Sequence, residues 1–117
     1  MSIAAYQQAA KRAESPRESE WRAFQSVTAA LMRALQAGQS QSFALTEAIN
    51  DNRRLWAVLA DDCAQPDNQL PEALRAQIIS LALWVNRHSR EAVGNVALVQ
   101  DLVDVNRAIM EGLSGRS

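Results

Sequence analysis

Apolar residues recur at steps of three and four along most of the chain, which is the spacing of one buried face of an α-helix. Leu74, Ile78, Leu81 and Val85, for example, fall on a single stripe. This periodicity predicts five helices, at about residues 3–13, 16–38, 43–63, 71–93 and 97–113. A buried strand over 78–85 is the competing interpretation of one apolar run, but the sequence offers no second strand to pair with it. We therefore predict an all-α fold.

Residues typical of helix ends separate the predicted helices. Ser15 precedes Pro16, which places a capping side chain before a proline at the first helical position. Pro71 begins the fourth helix in the same way, and Gly94 separates it from the fifth. Because the connections are short, we expect neighbouring helices to pack antiparallel in a single domain that spans the chain, with 114–117 as a flexible tail.

Composition and charge exclude several classes of protein. The 117 residues are 48% apolar and 21% charged, which is unlike a disordered chain. The formal net charge of −1 provides no strong field for nucleic acid or an anionic membrane. A single cysteine, Cys63, excludes an intrachain disulfide, and the N-terminus lacks the apolar core of a secretory signal. The sequence therefore predicts a soluble, cytosolic protein.

Residues suited to catalysis are scarce. The chain has one histidine, His88, which we interpret as lying near a helix C-terminus, and we interpret Cys63 as a buried and inert thiol. Asp61 and Asp62 are adjacent, so on a helix they point about 100° apart and cannot form a close carboxylate pair. No set of metal ligands and no glycine-rich phosphate loop is present in the sequence. We therefore expect neither a cofactor nor enzymatic activity.

Three asparagines lie on or beside apolar stripes, each followed by an arginine. They are Asn52, Asn86 and Asn106. An amide near a core must find hydrogen-bond partners, so the favoured interpretation is that these side chains bond to one another or to the backbone and fix the register of the helices. The alternative is that they line a groove and contact a partner.

The tryptophans are the second unusual feature. Trp21, Trp56 and Trp84, together with Tyr6, contribute large apolar areas, and each indole N–H needs a partner or water. Core packing is the favoured interpretation by a small margin. The alternative is that one or two of them form the floor of a groove that accepts an amphipathic helix.

Short motifs along the chain resemble one family. The matching segments, in order and without large gaps, extend from Tyr6 to Leu113: Ala13-Glu14-Ser15-Pro16-Arg17, Asn52-Arg53-Arg54-Leu55-Trp56, Asn68-Gln69-Leu70-Pro71, Leu74-Arg75-Ala76, the run from Ile78 to Val85, and Asn106-Arg107 with Ile109-Met110. In these motifs the chain resembles the FlaF family of flagellar biosynthesis regulators. The resemblance implies a small helical protein of the cytosol that is needed for flagellum assembly.

The resemblance also implies a partner. Members of that family are thought to act as dedicated chaperones or adaptors of flagellin that couple its synthesis to export, alongside a second regulator, FlbT, which affects flagellin messenger RNA. Flagellin termini are amphipathic helices whose apolar faces need cover before export. On this basis we predict a groove for such a helix, with arginines at its rim. The predicted residues are Tyr6, Trp21, Leu55, Trp56, Ile79, Leu83 and Trp84, with Arg17 and Arg54 at the edge.

The sequence is also compatible with a second function. The chain could regulate flagellin expression after transcription, by contact with RNA directly or through FlbT. Direct contact would depend on several arginines and would weaken steeply with added salt. The slightly negative net charge makes direct RNA contact the less favoured interpretation.

Overall fold

The chain forms a bundle of antiparallel helices. The computed structural model describes residues 16–37 and 43–113, and these contain four helices and no strand. The helices are α1 (Pro16–Gln36), α2 (Phe43–Cys63), α3 (Glu72–Ala92) and α4 (Val96–Leu113). The all-α prediction is confirmed, and the described ranges hold four of the five predicted helices. The predicted helix at 3–13 and the predicted tail at 114–117 lie outside the described residues.

Each helix packs on its neighbours in the chain, and α1 also packs on α4, so the four helices close into a ring. The α1–α2 pair is antiparallel, because Phe24 meets Trp56 while Thr28, one turn later on α1, lies level with Asn52, one turn earlier on α2. The α3–α4 pair is antiparallel too. His88 reaches Asp101 near one end of that pair, and Leu74 lies beside Gly112 near the other.

The apolar stripes predicted from the sequence form the core. Phe24 and Trp56 meet edge to face, with ring centroids 5.2 Å apart. Each large apolar side chain removed from water here stabilises the fold by about 2 kcal/mol before the entropy cost of ordering is subtracted. The large apolar side chains that are completely buried in this core are Phe24, Leu31, Leu45, Ile49, Trp56, Ile78, Val85, Val99, Leu102 and Val103.

Short turns with asparagine connect the last three helices. Between α2 and α3, the Asn68 Oδ1 accepts a hydrogen bond of 3.0 Å from the backbone N–H of Leu70. Between α3 and α4, the Asn95 Oδ1 accepts one of 3.1 Å from the N–H of Ala97. Asn95 therefore caps the N-terminus of α4, whose first backbone N–H groups have no partner inside the helix. These turns fix where α3 begins and ends relative to its neighbours.

Candidate functional site

A layer of polar side chains crosses the core between α1, α2 and α4. The Asn106 Oδ1 accepts a hydrogen bond of 2.8 Å from the indole Nε1–H of Trp56. The Asn106 Nδ2 donates to the Thr28 Oγ1 at 3.0 Å and to the Asn52 Oδ1 at 2.7 Å. All four side chains are buried. A buried polar group costs free energy unless it is bonded, so this layer favours the one helix register that brings its members together.

This layer decides between the two interpretations of the asparagines. Asn52 and Asn106 bond to each other inside the core, as the favoured interpretation predicts, and they do not line a groove. Asn86 is half-buried on α3 and stands outside this layer.

The structure corrects one residue of the predicted groove. Trp56 was predicted among the partner-binding residues, but its side chain is 1% exposed and its indole N–H is bonded to Asn106. The physical reason is that the ring lies at the centre of the apolar stripe of α2, where it packs on Phe24. A partner helix cannot reach it in this fold, so Trp56 is a core residue.

The other two tryptophans are half-buried, and Trp84 borders an open cleft. The cleft has a volume of about 240 Å³ and is lined by Trp84, Arg87, His88 and Glu91. The imidazole of His88 stacks on the Trp84 indole, with centroids 4.3 Å apart and planes 18° from parallel. On its other side His88 Nε2 lies 3.1 Å from the Asp101 Oδ2 of α4. The stack and this contact hold the indole at the α3–α4 edge of the bundle.

His88 was interpreted from the sequence as a residue near a helix C-terminus. It does lie in the last part of α3, but its contacts are with Trp84 and Asp101. The side chain therefore links α3 to α4 and orients the indole. The sequence spacing between 88 and 101 could have indicated this pairing only once the antiparallel register was known.

Among the apolar partner-binding residues that were predicted and that the structure describes, Leu83 is the most exposed. Its side chain is 65% exposed on the outer surface of α3. Ile79, one turn earlier, is half-buried and packs against the core. Leu83 and Trp84 are consecutive and so point about 100° apart. Together they present apolar surface on two adjoining faces of one helix.

The other predicted residues with described side chains lie on α1 and α2 and do not complete a single groove with them. Trp21 on α1 and Leu55 on α2 are each half-buried and packed against the core. Arg54 is exposed, and its guanidinium Nη1 lies 3.9 Å from the Asp51 Oδ1 of the same helix. Tyr6 and the side chain of Arg17 lie outside the described residues. Of the predicted residues whose side chains the structure describes, Ile79, Leu83 and Trp84 lie together on α3, and Trp21, Leu55 and Arg54 lie on other helices.

Exposed apolar residues also occur where the sequence did not indicate them. Phe43 at the start of α2 is 81% exposed, and Val58 on the same helix is 66% exposed. Val58 lies among charged neighbours such as Asp61 and Asp62, so its surroundings in the sequence are those of an ordinary solvated face. The hydrophobic pattern could have identified it as a residue off the buried stripe, but not as part of a site.

Cys63 is buried, as predicted, at the end of α2. Burial is the main cause that raises the pKa of its thiol from the ordinary 9.0 to about 11; the carboxylates of Glu20 and Asp62 contribute to the rise, and Arg75 opposes it. A thiol in this state is a poor nucleophile near neutral pH.

The described residues contain neither a metal-binding cluster nor a membrane-spanning helix. Within 16–37 and 43–113, no group of three or more His, Cys, Asp and Glu side chains is placed to hold a metal ion. Of the four helices, none is long and apolar enough to cross a membrane.

Comparison with known proteins identifies the family. Comparison with curated proteins gave no match, and comparison with solved structures also gave none. The family model described as "Flagellar protein FlaF" matches residues 2–113, which is nearly the whole chain. This agrees with the resemblance in the motifs from Tyr6 to Leu113. The chain belongs to the FlaF family of flagellar proteins.

Proposed function

We propose that this protein binds flagellin in the cytoplasm as an export chaperone or adaptor that couples flagellin synthesis to secretion. Its membership of a flagellar family supports this proposal. The observation that carries it is the apolar surface on α3, where an exposed Leu83 adjoins the cleft bordered by Trp84. In a soluble bundle an exposed large apolar side chain beside an open aromatic surface is a common feature of a binding site.

The partner is one terminal amphipathic helix of flagellin. Its apolar face covers Leu83 and enters the cleft beside Trp84, which buries surface on both proteins. Covering an exposed leucine completely contributes about 2 kcal/mol. Arg87 at the edge of the cleft is exposed and orients the partner through an acidic residue.

The test is binding of purified flagellin to the Leu83→Ala and Trp84→Ala variants. We expect each variant to weaken binding about tenfold, because a few aromatic and aliphatic anchors carry most of the affinity of such surfaces. Calorimetric titration measures the affinity, and urea unfolding of the same samples shows that the fold is retained. Flagellin lacking either terminus locates the contact.

Val58→Ala is the matched control, since Val58 is as exposed as Leu83 but lies on α2. It should leave the affinity unchanged. Equal affinity of the wild type and both α3 variants would contradict the proposed surface. If the protein instead binds RNA and not flagellin, and added salt removes the RNA binding, the result would support a regulator of flagellin messenger RNA.

A further inference from the structure

Asp101 lies on α4, outside the surface that the proposed function assigns to α3. The open cleft beside Trp84 is lined by residues of α3, and Asp101 is not among them. The Asp101 Oδ2 nevertheless lies 3.1 Å from the Nε2 atom of His88, whose imidazole stacks on the Trp84 indole. A chain of two contacts therefore runs from α4 to the aromatic ring that borders the cleft.

The contact between His88 and Asp101 is a hydrogen bond with a defined direction. An ionised carboxylate only accepts hydrogen bonds, so the Nε2–H of His88 donates to the Asp101 Oδ2. The His88 side chain is only 14% exposed. A hydrogen bond that is partly shielded from water is stronger than the same bond in water, so this one can hold the imidazole in place.

The stack by itself does not tie the indole to the rest of the bundle. Trp84 and His88 are one turn apart on α3, so their stacked side chains can swing together as a unit. Asp101 belongs to a different helix, and its bond to Nε2 opposes that movement. The imidazole is thus held at its face by the indole and at its Nε2 atom by α4.

Building on the function proposed above, we propose that Asp101 is a positioning residue for the partner surface on α3. Asp101 anchors the His88 imidazole to α4, and the imidazole holds the Trp84 indole in the orientation that the partner helix meets. In this arrangement α4 takes part in recognition, although the partner helix contacts α3.

The size of the effect follows from side-chain entropy. A side chain that is free in the unbound protein has to be immobilised when a partner binds, which weakens the affinity by about threefold to tenfold. The Trp84 indole also packs in part against the core, so it is not wholly free without its anchor. We therefore expect loss of the Asp101 contact to weaken flagellin binding about fivefold, which is less than the loss expected for Trp84→Ala.

The first test separates the hydrogen bond of Asp101 from its negative charge. Asp101→Ala removes both, whereas Asp101→Asn removes the charge and keeps an oxygen that accepts from the Nε2–H of His88. In calorimetric titration with flagellin, Asp101→Ala should bind about fivefold more weakly than the wild type. Asp101→Asn should bind with nearly the affinity of the wild type.

A double-mutant cycle tests whether Asp101 acts through His88. His88→Phe keeps an aromatic ring for the stack but lacks the Nε2–H donor. If both residues act through one contact, His88→Phe, Asp101→Ala and the double variant should each weaken flagellin binding about fivefold. Two independent effects would multiply to about 25-fold in the double variant and would overturn the proposal.

The surroundings of the indole are measured without flagellin. The chain has three tryptophans, so a two-dimensional proton–nitrogen NMR spectrum holds three indole signals, and Trp84→Phe identifies the signal of Trp84. Asp101→Ala should move this signal by more than its line width, because the ring that stacks on the indole has lost its anchor. Asp101→Asn should leave it at the wild-type position. The signal of Trp56 is the internal reference, since its N–H is bonded to Asn106 in the core.

Asp104→Ala is the matched control. Asp104 is exposed on the same helix and accepts a hydrogen bond of 2.9 Å from the Gln100 Nε2, so its replacement also removes one charge and one bond. It lies outside the lining of the cleft, and we expect neither the affinity nor the Trp84 signal to change. Circular dichroism shows that every variant retains the bundle.

Three further results would overturn the proposal: a Trp84 signal that does not move in Asp101→Ala, equal losses of affinity in Asp101→Asn and Asp101→Ala, or a loss in Asp104→Ala as large as in Asp101→Ala. The first is measured on the purified chain alone, so it is independent of whether flagellin binds. A wild type that binds no flagellin, with a Trp84 signal that responds to Asp101→Ala, would contradict the proposed function and still support the anchoring of the indole by α4.

Discussion

Asn52 and Asn106 are the same residue type at the same burial, yet their surroundings differ. Asn106 takes part in three hydrogen bonds, to Trp56, Thr28 and Asn52. Asn52 accepts one of these through its Oδ1, and among the described residues its Nδ2 has no hydrogen-bond partner. The pair therefore offers a direct comparison of a satisfied and a partly unsatisfied amide in one core.

Replacing Asn106 by leucine leaves the Trp56 N–H and the Asn52 oxygen buried without their partner. We expect Asn106→Leu to lower the free energy of unfolding by about 3 kcal/mol or more. Asn52→Leu loses one bond but also removes an amide donor that lacks a partner, so it should lower the free energy of unfolding by only about 1 kcal/mol. Urea denaturation measures both. Similar losses in the two variants would show that the layer does not act as described.

Cys63 gives the folded protein a pH dependence at alkaline pH. Because the thiol pKa is raised to about 11 in the fold, the folded state holds a proton that the unfolded state releases near pH 9. This stabilisation is complete below pH 9 and declines as the pH rises toward 11. We expect the free energy of unfolding of the wild type to fall more steeply over this interval than that of Cys63→Ala.

The measurement for Cys63 compares how steeply the free energy of unfolding changes with pH in the wild type and in Cys63→Ala. The slopes are compared, and not the absolute values, because the alanine variant also changes the packing at every pH. Parallel curves for the two proteins between pH 9 and 11 would contradict a raised thiol pKa. A maleimide reagent at pH 7 provides a second check. It should modify the wild type only as fast as the bundle unfolds.

At the scale of the elements, the turn between α3 and α4 contains two neighbouring residues with opposite expectations. Asn95 caps α4 through the N–H of Ala97, so Asn95→Ala should lower the free energy of unfolding by about 1 kcal/mol. A methyl group added at Gly94 would meet nothing within 4 Å, and the backbone there is not left-handed. Gly94→Ala should therefore raise the free energy of unfolding by about 0.5 kcal/mol, because alanine leaves the unfolded chain fewer conformations than glycine does. Thermal unfolding resolves the two signs, and destabilisation by Gly94→Ala would refute this description of the turn.

The helices were predictable because each kind of signal pointed the same way. Pro16 begins α1 as expected, Pro71 lies one residue before α3 rather than at its first position, and α2 spans the predicted 43–63. Periodicity also placed Asn52 on a buried stripe and Asn106 on or beside one. It could not predict that Asn106 bonds to both Asn52 and Trp56, because the register between α1, α2 and α4 is a property of packing. Local patterns determine which face of a helix is buried, but not which residues of different helices meet.

At the scale of the whole molecule, the binding surface was harder to predict from the sequence than the helices were. A tryptophan contributes the same composition signal in a core or on a surface, so Trp56 and Trp84 looked equivalent in the sequence. The difference arises from position: Trp56 is central on the stripe of α2, whereas Trp84 is flanked by His88 and an open cleft. Exposure of Leu83 could be expected, because this residue lies off the buried stripe of α3 that contains Ile78 and Val85. Whether the exposed residues form one surface depends on how the helices are arranged around the ring.

The bond network in the core also bears on the order in which the chain is made. Thr28 leaves the ribosome early and Asn106 late, separated by 78 residues. Until Asn106 is synthesised, the indole N–H of Trp56 lacks the acceptor that it has in the folded bundle. Because a buried donor without an acceptor is costly, the Trp56 site cannot close at low cost in a nascent chain that stops short of α4, and the interior is completed only with the final helix.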